Sequence, residues 1–359
     1  MKYPPVHYHK YLGLDALLNS QHPKSVEYKK PAHDEMLFIV VHQTYELWFK
    51  QIIFELDAVL KTFQKDQIEE TEMGMASSRL ERIVSILKLI IGQVDVLETM
   101  TPLDFLDFRD MLYPASGFQS FQWRLIETKL GLRIGDRLAY NQAPFFKSLT
   151  EEQQNEIQSV LNSSSLFDSL EKWLARTPFL QDENFNFWDT YKNAVTTMFN
   201  EDIATVNNNT RLSDEDKKRN IEGLTNTLRS FDALFDESAF EKLRGEGQFR
   251  LSYKAMHAAL LIQLYRDQPI LQTPFRIIRA LLDIDETMTT WRYRHALMAM
   301  RMLGQKIGTG GSSGHKYLAE ATAKHKIFGD FFNLTTFFIP RSQVPPLPKS
   351  MSDRMSFHY

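Results

Sequence analysis

Apolar residues recur at spacings of three and four along nearly every long segment of this chain, and runs alternating with period two between hairpin turns are missing. Such spacing lays an apolar stripe along helices and does not give half-buried strands, so the predicted fold class is all-α. Helix starts are also written in the sequence. Thr101 precedes Pro102, with Asp104 at the third helical position, where an acid meets unpaired amides. The pair Thr273 and Pro274 repeats the device and predicts a helix from Pro274 to about Met302, stopped by Gly304. Along it Leu281, Ile284, Met288, Trp291, His295, Met298 and Met302 share one face. Another helix, opening near Asp34, lines Phe38, His42, Tyr45, Phe49 and Ile53 along one side. A third apolar helix, LSYKAMHAALLIQLY, precedes a break at Pro269, and the Pro-rich tail from Pro340 reads as irregular. Between about 150 and 246 the chain is more polar, with capping signals at Thr150 and Ser213, and reads as peripheral helices.

Composition narrows the chemistry. Cysteine is absent, which excludes disulfides, iron–sulfur clusters and thiolate ligation of zinc or haem, so any metal must be held by His or carboxylate. The formal net charge of −3 and the lack of a basic cluster argue against nucleic acid as a partner. No stretch approaches the ~20 apolar residues of a membrane span, and the N-terminus lacks the apolar region of a signal peptide; a cytoplasmic location without membrane partners is the expectation. Aromatic residues make up 12% of the chain, which suits either a thick core or a pocket for a flat ligand.

Of ten histidines, only His42, His257 and His295 lie inside apolar helical stripes. Each is a candidate ligand for a metal or haem, although the pattern alone favours a core histidine bonded to a backbone carbonyl. No HExxH or paired ExxH motif is present, so a dedicated non-haem metal cage has little support. Arg109 stands between Phe105 and Leu112 on one helix face, where its guanidinium needs an anion: a nearby Asp, or a ligand carboxylate gripped by the planar fork. The run GTGGSSG from Gly308 to Gly314 offers clustered amides for an anion or serves as a flexible connection; it lacks the pattern of nucleotide-binding loops.

Four stretches together resemble the tryptophan 2,3-dioxygenase family: HDEMLFIVVHQTYELWFKQ (33–51), FLDFRDMLYPASGFQSFQWRLIETKLG (105–131), WRYRHALMAMRMLGQKIGTGGSSG (291–314) and FNLTTFFIPR (332–341). Their order and spacing agree as well, and the resemblance thins between about 150 and 246. It implies a single domain over 1–359, a helical bundle enclosing one b-type haem per subunit, with a peripheral helical insertion at 150–246. It also implies that ferrous haem and O2 cleave the indole C2–C3 bond of L-tryptophan to give N-formylkynurenine, opening tryptophan degradation by the kynurenine pathway.

Carried over position by position, His295 resembles the axial haem ligand, and His257 matches no ligand position. His42 resembles the distal histidine and Phe38 a wall of the indole pocket. Arg109 is similar to the clamp on the substrate carboxylate, with Phe105 and Leu112 lining the pocket and Thr309 helping to hold the substrate ammonium. Family members are homotetramers in which an N-terminal segment, here 1–30, completes a neighbour's pocket; Tyr8, Tyr11 and Leu12 match that segment. Position 105 is Phe where some members have Tyr, so a hydroxyl contact is lost here. Two alternatives share these features: a related haem enzyme oxidising another indole, and a non-catalytic haem sensor.

Overall fold

The computed structural model describes residues 2–137, 149–178, 181–182, 185–304, 306, 322 and 324–356. Helices dominate, and among the described residues the only strands are a two-residue antiparallel pair, Gln181–Asp182 with Phe185–Asn186. The all-α expectation therefore holds. None of the described helices is long and apolar enough to cross a membrane.

Contacts divide the chain into two compact units. The first comprises Met1–Asp57, Arg82–Ser163 and Ile284–Lys326. It opens with three short helices, α1 (Tyr8–Leu12), α2 (Leu14–Leu18) and α3 (Lys24–Glu27), followed by the first part of α4 (Glu35–Phe63) and the later part of α5 (Glu70–Leu97). Next come α6 (Pro102–Arg109), α7 (Phe121–Leu130) and α8 (Glu151–Leu161). The capping signals act as the sequence predicts. Thr101 accepts the Asp104 amide while Asp104 accepts the Thr101 amide, and Thr150 and Gln153 reciprocate in the same way. Each such cap contributes about 1 kcal/mol to its helix. A small core in this unit joins Leu125, Leu149 and Ile157, flanked by Ile53, Phe121, Val160 and Leu161.

The second unit comprises Ala58–Glu81, Ser164–Asp283 and Ile327–Tyr359. It contains α9 (Leu166–Ala175), α10 (Phe187–Asn208), α11 (Asp214–Phe235), α12 (Glu237–Gly245) and α13 (Tyr253–Leu264). The polar segment thus contributes its own apolar faces, with Leu166, Leu174, Phe187, Tyr191, Val195, Leu234 and Phe240 buried. Ser252 caps α13, and from Ala255 to Ile262 every residue is buried, as expected of a helix apolar on all sides.

The helix carrying His295, α14, spans Pro269–Leu303 and belongs to the second unit up to Asp283 and to the first thereafter. It begins five residues before the predicted start. Pro269, read from sequence as a break, is its first residue, where the missing amide costs nothing, and Pro274 rides inside. An internal proline forfeits one backbone hydrogen bond; burial of Leu271, Ile277 and Ile278 around it outweighs that loss. The stop is as expected, with Gly304 at φ 57°, a left-handed conformation that glycine adopts without strain. Beyond it, α15 (Gly329–Asn333) leads to a tail less irregular than its prolines imply, since α16 (Lys349–Arg354) forms there.

Candidate active site

The first unit brings four sequence-selected residues together through α4 and α6. On α4, Phe38 and His42 lie one turn apart and their rings meet at 4.1 Å between centroids. On α6, Phe105 faces Phe38 at 5.8 Å, nearly parallel, and the fully buried Phe108 closes the corner at 5.6 Å from Phe38 and 5.5 Å from Phe105. Arg109 is the last residue of α6, one turn beyond Phe105, and Leu112 follows in a 3₁₀ turn, half-buried. The helix spacing that placed Phe105, Arg109 and Leu112 on one face survives the change to a tighter turn.

From His42 the wall of rings continues without a gap. Tyr45 lies 6.2 Å from His42 and 6.1 Å from Trp291 of α14; Trp291 in turn lies 5.4 Å from His295. Beneath them Phe49 and Trp123 fill the floor, Trp123 stacking on Trp291 at 4.4 Å. Offset or edge-on aromatic pairs each contribute about 0.5–1.5 kcal/mol beyond the area they bury, so the recess is stiff as well as flat-walled. Phe108, Trp123 and Trp291 went unassigned in the sequence reading. For Phe108 and Trp291 a signal was present, since each falls on a helix that also carries a chosen residue; Trp123 lies on α7, which carries none.

Electrostatics keep both imidazoles uncharged. The Nδ1–H of His42 donates to the Phe38 carbonyl, 2.7 Å away, and desolvation lowers its pKa below the ordinary value. Desolvation lowers His295 to about 4. The ring contacts through Tyr45 and Trp291 link the two imidazoles into one aromatic cluster. Nδ1 of His295 is buried and has no hydrogen-bond partner among the described residues, which is costly for an ordinary core histidine. Its neighbour in the choice of histidines, His257, is the opposite case. In the second unit its Nε2 meets the Leu234 carbonyl at 3.0 Å, Trp188 and Tyr253 cover the ring, and burial lowers its pKa to about 3. His257 is a satisfied core histidine. Tyr45 stays a neutral hydroxyl, because burial pushes it up to about 12.

Arg109 is 15% exposed, and its ion pair with Asp110 is long, 3.6 Å, to a carboxylate that is 92% exposed. Solvent screens a pair of that kind, leaving it weak. Thr309 and the run from Gly308 to Gly314 lie outside the described residues. On α1, Tyr8, Tyr11 and Leu12 are 72%, 76% and 44% exposed, an apolar face presented away from their own unit's core. Among the described residues no three His, Asp or Glu side chains converge on a metal-sized site, so the recess offers a single imidazole rather than a cage.

Comparison with known proteins agrees over the whole length. The sequence profile of the family described as "Tryptophan 2,3-dioxygenase" matches residues 3–338. A protein of Bdellovibrio bacteriovorus named "Tryptophan 2,3-dioxygenase" is 83% identical over 359 residues, covering 100% of both chains. Proteins of the same name are 48% identical in Alteromonas mediterranea, over 99% of this chain and 98% of that one, and 44% identical in Dictyostelium discoideum, over 98% and 88%.

Proposed function

Because the chain belongs to the tryptophan 2,3-dioxygenase family, we propose that it inserts both atoms of O2 across the indole C2–C3 bond of L-tryptophan, giving N-formylkynurenine, with haem b as cofactor. The observation that carries this reading is the pair of neutral imidazoles joined by one cluster of aromatic rings, of which His295 has a buried nitrogen without a partner among the described residues. A neutral imidazole is the ligating form, and Trp291 supplies an apolar flank for a flat macrocycle. The donor set therefore fits a haem held by His295. When bound, haem supplies the oxygen chemistry, with ferrous iron as the state that takes up O2.

The chain's own residues bind, orient and shield. Phe38 and Phe105, nearly parallel at 5.8 Å, form the wall against which an indole lies flat. Leu112 extends that wall. Arg109 clamps the substrate carboxylate, since a planar guanidinium pairs with a carboxylate through two parallel hydrogen bonds. Thr309 holds the ammonium end. His42, kept neutral by its surroundings, offers a nitrogen to the indole N–H and sets the polarity beside it; it need not remove a proton for the reaction to proceed. Fixing both ends of the amino acid converts a bimolecular encounter into a held geometry, and exclusion of water by Phe108, Tyr45 and Trp291 strengthens each polar contact. The exposed Tyr8, Tyr11 and Leu12 close the pocket of a neighbouring subunit in a homotetramer, which also buries their apolar face.

The test is direct. Protein reconstituted with haem, reduced without oxygen and then given tryptophan and O2 forms N-formylkynurenine, with both product oxygens labelled when ¹⁸O2 is used. A coloured protein that leaves tryptophan intact, or that yields a singly labelled indole, would overturn the assignment.

A further inference from the structure

Behind the aromatic floor lies a buried charge cluster that the recess itself does not use. Glu127 of α7 is 1% exposed, and four donors fill its two oxygens. Oε1 accepts from Arg292 Nη2 at 2.9 Å and from Trp123 Nε1 at 3.1 Å; Oε2 accepts from Arg124 Nη1 at 3.1 Å and Arg137 Nη1 at 3.0 Å. Burial alone would raise its carboxyl, but Arg124, His325, Arg292 and Arg137 hold it well below the usual range. A fully ionised carboxylate, buried and saturated, is a rigid hub.

Two of its arms lead back to the site. Trp123, whose indole N–H is tied to Glu127, stacks on Trp291, and Trp291 lies against His295. Arg292, three residues before His295 on α14, spends its second nitrogen on the His325 carbonyl at 3.3 Å. At the next residue Lys326 donates to Thr289 Oγ1 of α14 at 2.9 Å. One guanidinium thus ties α7, α14 and the backbone at His325 together.

We propose that Arg292, through Glu127, is a positioning residue that sets the orientation of the His295 imidazole. This rests on the reading of His295 as haem ligand. A guanidinium suits the task because its fork reaches two acceptors at a fixed angle, which an ammonium cannot do. The other arms of Glu127 give a control inside the same cluster: Arg124 reaches Oε2 from one turn earlier on α7, so its loss leaves the tie between α14 and His325 in place.

The experiment compares haem-loaded wild type, Arg292→Met, Arg292→Lys and Arg124→Met by the iron–histidine stretching band of the ferrous protein and by steady-state kinetics. For Arg292→Met we expect a displaced band and a KM for tryptophan raised about tenfold with a smaller change in kcat. Arg292→Lys, keeping one of the two bonds, recovers part of both. Arg124→Met loses comparable thermal stability yet keeps the wild-type band and a KM within about twofold. If Arg292→Met does not fold, Glu127→Gln carries the same comparison, since it keeps an acceptor for Arg292 but weakens the tie: its band shifts in the direction expected for Arg292→Met. A wild-type band and KM in the Arg292 variants, or equal changes in Arg124→Met, would overturn the proposal. Persistence of the iron–histidine band in His295→Ala would instead overturn the ligand reading, whatever Arg292 does.

Discussion

Replacing Arg109 by Met separates recognition of the amino-acid end from recognition of the indole. The stem volume is nearly kept, so Phe105 and Leu112 retain a neighbour, and only the guanidinium is lost. A hydrogen bond to a charged group is worth about 1.5–3 kcal/mol net, and a paired fork holds two that are not fully additive. The site is only 15% exposed at Arg109, so a guanidinium–carboxylate pair formed there is little screened. A loss of roughly 3–4 kcal/mol in transition-state stabilisation corresponds to about 200- to 1,000-fold in kcat/KM for tryptophan. For tryptamine, which has the same indole and ammonium but no carboxylate, the wild-type guanidinium has nothing to grip, and kcat/KM should change less than about fivefold. Steady-state rates for both substrates on both proteins give the ratio. If tryptophan and tryptamine lose activity equally, Arg109 shapes the pocket and does not clamp an acid.

Other expectations follow from the same geometry. His42→Ala should lower kcat about 10- to 100-fold without abolishing product, because the imidazole tunes polarity instead of serving as an obligatory base; complete loss with haem retained would contradict that role. Deleting residues 1–12 removes the exposed Tyr8, Tyr11 and Leu12 and should cut activity while haem content per chain stays within about a fifth of wild type; full activity would exclude a shared pocket. His257 is held at about 3 by burial against an ordinary 6.5, so the native state binds fewer protons than the unfolded one between those values. Its contribution is complete above pH 6.5 and is lost as pH falls toward 3, about 2 kcal/mol of it by pH 5. In urea titrations the stability difference between pH 7.5 and 5 should therefore be smaller by that amount in His257→Gln, and an unchanged difference would show the ring to be charged when folded.

The sequence carried the helices and the chosen faces because both depend on local spacing. Thr101, Thr150 and Gly304 act through neighbours within four residues, so their caps and stop were legible. Pro274 misled for the same reason: its local preference is a helix start, and only burial of distant origin keeps it inside α14. Periodicity alone could not rank His42, His257 and His295, since all three sit on apolar stripes. The ranking depends on what each ring meets across space, a Leu234 carbonyl for His257 and, among the described residues, no partner at Nδ1 for His295. The Glu127 hub was illegible for a stronger reason. Glu127 and Arg292 are 165 residues apart, and each alone reads as a solvated charge on a helix.

The central claim is that His295 binds the haem iron through an imidazole kept neutral by its recess. It is tested most directly by the absorption spectrum of haem-loaded His295→Gly, recorded with and without added imidazole. The account predicts a spectrum altered from wild type that free imidazole restores by entering the vacated space. A wild-type spectrum in His295→Gly without imidazole would place the iron on another ligand.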